Sequence, residues 1–86
     1  MITPEQCRAA RALLDWTQRD LASRAKLTPL TIREFERSKS RLKDSTAQLL
    51  RMVFESEGVV LIDSNGGGPG VRLAEPTEND GPNEAE

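Results

Sequence analysis

The sequence has no histidine, no tyrosine and a single cysteine, Cys7. One cysteine cannot close an intramolecular disulfide. With no histidine and no second cysteine, the usual zinc ligand sets are missing, so Cys7 is expected to serve as a small core residue. With no histidine, tyrosine or cysteine pair, and with carboxylates that gather in no evident cleft-forming stretch, an enzyme reading is poorly supported. The chain is not expected to be an enzyme, and no cofactor is expected. The glycine run SNGGGPG is followed by no Gly-Lys-Ser/Thr, which argues against a phosphate-binding loop. No apolar run is long enough for a membrane span, and no basic start leads into an apolar signal core. A cytoplasmic protein with no membrane partner is the expectation.

What is present fits one small domain with a tail. The chain has 86 residues, of which 36% are hydrophobic, a low share for a folded protein. Much of the deficit lies in AEPTENDGPNEAE, where nothing is periodic and little can be buried. The expected division is a helical domain over 1–58, a β-hairpin over 59–73 and a disordered acidic tail over 74–86. The net charge of −2 at first argues against nucleic acid. Its distribution reverses that reading. Glu75, Glu78, Asp80, Glu84 and Glu86 stand in the tail with no base, so all 12 basic residues fall before it. From Arg24 to Lys43 the only acids are Glu34 and Glu36, against seven Lys and Arg. Such a surplus is either a solvated face or the footprint of a polyanion.

Four helices are predicted. Thr3-Pro4-Glu5-Gln6 combines an N-cap, Pro at the first helical position and Gln three residues after the cap. That helix should run to about Leu14, with Cys7, Ala10, Leu13 and Leu14 inward and Arg8 and Arg11 outward. Trp16 should plug the core between it and the next helix. Thr17 with Asp20 has capping-box spacing, and Leu21, Ala22 and Ala25 give the second helix an apolar stripe. Thr28-Pro29 restarts a third helix a few residues on, with Ile32 and Phe35 buried and Thr31, Arg33, Glu34 and Arg37 facing out. Asp44 or Ser45 should cap a fourth, with a Ser45–Gln48 capping box, Ala47, Leu50, Val53 and Phe54 inward, and Gly58 as its left-handed terminus. Val59, Val60, Leu61 and Ile62 then form a β-branched run that reads as a strand, and Val71-Arg72-Leu73 offers a second. A lone hairpin is marginal, so it must pack on the helices or pair with a second copy.

Two helices joined by so tight a turn, over Thr17–Arg37, present the second of them on a surface, and in a helix-turn-helix that helix enters the DNA major groove. TQRDLASRAKLTPLTIREFER resembles the helix-turn-helix of the Cro/CI-type bacterial and phage repressors, the xenobiotic-response-element family. The family pattern T/S-Q-x-x-L-A-x-x-A, turn, S/T-x-x-T-I-x-x-F/W-E is met by Thr17, Gln18, Leu21, Ala22, Ala25, Thr28, Thr31, Ile32, Phe35 and Glu36. The likeness spans roughly residues 3 to 57. Two positions depart from it. Lys26 and Ser38 stand where the family often has glycine, and a left-handed Lys26 would cost about 1 kcal/mol.

The resemblance implies a mostly α, lambda-repressor-like bundle of four helices with a C-terminal hairpin, acting on double-stranded DNA. Gln18 would contact a phosphate and brace the reading helix. Thr28, Pro29, Leu30, Thr31, Arg33 and Glu34 are the candidate base readers. Arg33 is the strongest, because a guanidinium fork matches the two acceptors of guanine. Leu30 or the Thr31 methyl can touch a thymine methyl. Glu34 can accept from cytosine or orient Arg33 or Arg37. Arg37, Lys39, Arg41 and Lys43 are the candidate phosphate ligands. Glu36 is expected in a salt bridge within the domain. Leu49 and Met52 are core edge or dimer contact, and with Val59, Val60, Leu61 and Ile62 they form the candidate dimerisation set. The family implies a homodimer on a pseudo-palindromic operator near its own gene, often on a phage or mobile element, acting by repression or activation. The alternative is an antitoxin whose C-terminal segment, from about Ser64, binds a toxin as protein partner while the helix-turn-helix autoregulates.

Overall fold

The computed structural model describes residues 1–75. Along them run α1 (Pro4–Leu14), α2 (Gln18–Ala25), α3 (Pro29–Glu36), α4 (Asp44–Ser56), β1 (Val59–Ile62) and β2 (Gly70–Leu73). The mostly helical bundle with a C-terminal hairpin is the architecture expected. The acidic tail predicted over 74–86 lies, from residue 76 on, outside the described residues.

Local chemistry explains where three helices begin. Thr3 accepts from Gln6 N–H while the Gln6 side chain accepts from Thr3 N–H, a reciprocal capping box, with Pro4 opening α1. Thr17 and Asp20 do the same for α2. Thr28 accepts from Thr31 N–H at α3, again with a proline in the first turn. The fourth start differs from expectation. The helix begins one residue earlier, Lys43 is the N-cap, and no side chain caps it. Asp44 and Ser45 are therefore already helical, and the Ser45–Gln48 box does not form. Asp44 in the first turn instead sets a carboxylate against the positive end of the helix dipole.

Left-handed residues follow all four helices: Asp15 (φ 59°), Lys26 (58°), Ser38 (59°) and Gly58 (89°). Only the last is a glycine, the residue that adopts this conformation without steric cost.

The core collects Ile2, Cys7 and Ala10 with Leu21, Ala22 and Ala25, then Ile32, Phe35, Ala47, Leu50, Phe54, Val59 and Leu61. Trp16 is half-buried between α1 and α2, its ring stacked 6.1 Å from that of Phe54, with the Arg24 guanidinium 4.4 Å from its centroid. Two expectations for α1 are corrected. Leu13 falls on the rim of the buried face and remains 42% exposed. Arg11, on the opposite rim, turns inward because a buried carboxylate awaits it.

β1 and β2 pair antiparallel, from Val59 opposite Leu73 to Ile62 opposite Gly70. Of the two solutions for a marginal hairpin, packing on the helices is present: β1 lies against α1 and α4, and β2 against α1. Gln6, only 2% exposed, fastens it. Its Nε2 donates to Ile62 O at 2.9 Å and to Gly70 O at 3.0 Å, so one side chain on α1 holds both strands.

Candidate nucleic-acid interface

The geometry starts at the turn. Lys26 takes the left-handed conformation that the missing glycine would have supplied, and its neighbour Leu27 N–H bonds to Ala22 O at 2.9 Å. This swings the chain so that Thr28 opens α3 immediately. Ile32 and Phe35 point inward and are buried. Thr28, Pro29, Leu30, Arg33 and Arg37 are exposed, and Thr31 and Glu34 are half-buried. The Thr31 hydroxyl lies 2.9 Å from that of Thr28, so the cap also fixes one candidate reader.

Leu30 is 54% exposed, an apolar crest on a helix otherwise edged by charge. It walls two grooves. One, of about 310 Å³, is lined by Gln18, Arg19, Pro29 and Arg33 as well. The other, of about 410 Å³, runs past Thr31 and Glu34 to Arg41 and Lys43. Lys39, Arg41 and Lys43 are exposed in the stretch between α3 and α4. Among the described residues, no acid comes within ion-pair distance of Lys26, Arg33, Arg37, Lys39, Arg41 or Lys43, and Glu34 pairs with no cation. Leu30 lines both grooves, so Gln18, Pro29, Thr31, Arg33, Glu34, Arg41 and Lys43 border one continuous surface along α3 and the stretch that follows it.

Behind that side lies a buried polar junction. Glu36, the last residue of α3, is 3% exposed. Arg11 forks onto it, Nε to Oε2 at 2.8 Å and Nη2 to Oε1 at 2.7 Å, and spends its remaining Nη1 on Trp16 O at 3.0 Å. Gln18 Nε2 donates to Oε1 at 3.0 Å, and the Cys7 thiol donates to Oε2 at 3.1 Å. Arg8 donates to the backbone carbonyl of Glu36. One carboxylate therefore joins α1, α2 and α3. Burial would push its pKa up, but the hydrogen bonds from Arg11, Gln18 and Cys7 more than offset this and hold it below the usual carboxylate range. Burial first, and then the hydrogen bond to Glu36, push the Cys7 thiol far up, so it remains a protonated donor.

The expected salt bridge of Glu36 is present. Its partner Arg11 and the groove residue Arg19 were not singled out by the sequence pattern. Arg11 reads as an ordinary surface charge because its partner is 25 residues away. Gln18 does brace α3, through Glu36. Of the dimerisation set, Leu49 and Met52 are exposed one turn apart on α4. Val59 and Leu61 turn their side chains into the chain's own core, leaving those of Val60 and Ile62 half-buried on the alternate face of the hairpin.

No group of three or more potential metal ligands occurs among the described residues, and no helix there is long and apolar enough to cross a membrane. A search of curated proteins finds no match to the chain. A family model described as helix-turn-helix matches residues 8–57, more than half the chain and all of α2, α3 and α4. It covers the turn, the presented helix and Glu36, and the family it describes is generally non-enzymatic. The chain therefore belongs to the helix-turn-helix family of Cro/CI type and is a DNA-binding transcriptional regulator of the xenobiotic-response-element kind.

Proposed function

We propose that this regulator binds a pseudo-palindromic operator near its own gene as a homodimer, each subunit laying α3 in the major groove of one half-site. The observation that carries the reading is the contrast between the two sides of α3. Its inner side is fixed by Ile32, Phe35 and the Glu36 junction. Its outer side leaves Leu30, Arg33 and Arg37 exposed, beside a run of cations with no acid partner among the described residues. A rigid mount under an exposed reading surface is what direct readout needs.

In this reading Arg33 takes a guanine fork, Leu30 and Thr31 meet thymine methyls, and Thr28, Pro29 and Glu34 complete the base contacts. Gln18, Arg37, Lys39, Arg41 and Lys43 hold phosphates. The dimer forms through Leu49 and Met52 of α4 with Val60 and Ile62 of the hairpin, which spaces the half-sites about one helical turn apart.

A nuclease footprint on the DNA flanking the gene, with random DNA in excess, tests this directly. Two protected half-sites related by a dyad are expected. No protection by folded protein would overturn the reading. On the operator so found, Arg33→Ala is expected to lose about 1–3 kcal/mol of operator binding with little change on random DNA. Lys39→Ala should weaken both DNAs alike and flatten the salt dependence by roughly one unit of slope.

A further inference from the structure

We propose that the acidic segment 75–86 docks on the basic side of the same chain, around α3 and the stretch that follows it, and competes there with DNA phosphates. The proposal rests on the reading that this side faces DNA. It adds an internal competitor that the helix-turn-helix alone does not supply.

The first argument is where the described chain ends. Ala74 N–H donates to Gly58 O at 2.6 Å, so the chain leaves β2 beside the end of α4. The preceding residue, Glu57, meets Arg24 at 3.5 Å in the last turn of α2. Lys26 is two residues beyond Arg24, and Thr28, the cap of α3, two beyond that. The segment thus starts next to the α2–α3 turn, at the edge of the basic side.

Length and charge supply the rest. Eleven residues, 76–86, extend to at most about 35–40 Å, whereas α3 is only about 12 Å long. The segment carries Glu75, Glu78, Asp80, Glu84 and Glu86 and no Lys or Arg. The surface along α3 carries Arg33, Arg41 and Lys43 around its two grooves, with Lys26 in the turn before α3 and Arg37 and Lys39 just after it, none with an acid in ion-pair range among the described residues. Tethering raises the local concentration of these carboxylates far above that of any free anion. DNA, with a denser line of charge, displaces them, and the competition lowers the apparent affinity for random and specific DNA by the same factor.

The three lysines of the chain stand at the end of α2 (Lys26) and in the stretch between α3 and α4 (Lys39 and Lys43), which gives a direct test. The full chain, free of DNA and dilute, is treated with a water-soluble carbodiimide. The reagent adds to a carboxylate to give an O-acylisourea, a nearby lysine amine attacks its acyl carbon, and the amide forms as the urea leaves carrying the elements of water. Peptide mass spectrometry is expected to find Glu78, Asp80, Glu84 or Glu86 joined to Lys39 or Lys43, and the yield should fall when salt or random DNA is added. In parallel, the full chain is compared with the amide variant Glu75→Gln, Glu78→Gln, Asp80→Asn, Glu84→Gln, Glu86→Gln. The variant should bind random DNA about tenfold more tightly at about 50 mM salt, with a steeper salt slope, and the two should converge as salt rises. Absence of these cross-links overturns the docking, even if affinity changes, because long-range repulsion alone leaves no amide bond. Equal affinities and slopes overturn the competition. If neither form binds DNA, the reading of the face fails, and the cross-links still decide the docking.

Discussion

Two polar side chains are buried among the described residues, Glu36 at the α1–α2–α3 junction and Gln6 under the hairpin, and they solve the same problem in different ways. Gln6 is neutral. Three hydrogen bonds, one accepted from Thr3 and two donated to strand carbonyls, satisfy it with backbone alone. Glu36 is charged and buried, and side chains compensate it. It draws a guanidinium fork, an amide and a thiol from two other helices. The neutral anchor attaches an accessory element to a helix already formed. The charged one fixes the mutual orientation of three helices, including α3, the proposed reading helix. Orientation is the dearer requirement, and it is met with the interaction most sensitive to geometry.

Removing one partner at each anchor should separate them most clearly. Arg11→Ala leaves the Glu36 carboxylate buried without its cation and should cost about 3–5 kcal/mol in urea unfolding. Gln6→Ala strands two carbonyls and breaks a capping box, with an expected loss of about 1–3 kcal/mol. Its increase in amide exchange should concentrate in Val59–Leu73, whereas that of Arg11→Ala should spread through α1, α2 and α3. The same pattern for both variants would erase the distinction drawn here.

Acid sharpens it. The folded pKa of Glu36 lies below the ordinary carboxylate value, so its contribution is fully present above that value and is lost as pH falls through the folded one. The wild type should lose stability on this account below about pH 4. Glu36→Gln should flatten that part of the profile, while Gln6→Ala should retain the wild-type slope. A smaller effect comes from a change that touches neither anchor. Lys26→Gly and Ser38→Gly relieve left-handed strain and should each raise stability by about 0.5–1 kcal/mol, visible as a shift in the urea midpoint at unchanged slope.

How much of this was legible in the sequence follows the range of the interaction. Thr3, Thr17 and Thr28 announce their helices because a cap and its partner are three residues apart. Ile32 and Phe35 announce the inner side of α3 by spacing, and the run from Val59 to Ile62 announces a strand by its branching. Arg11 could not be paired with Glu36 from spacing, since the two meet only after three helices have folded. The second role of Gln6, 56 residues from Ile62 O, was hidden in the same way. At α4 a polar run offered Asp44 and Ser45 as caps, and the helix instead starts one residue earlier with both inside its first turn. For the candidate site, pattern identified the presented helix and the exposed cations. The mount behind them is tertiary and appears only in three dimensions.

The lone tryptophan gives the molecule an optical consequence. Trp16 sits where α1 passes into α2, stacked on Phe54 of α4 and covered by Arg24. Its emission therefore responds when the first half of the bundle closes on the fourth helix. None of the proposed DNA contacts touches it, so this fluorophore can report folding in the presence of operator without confusing assembly with occupancy.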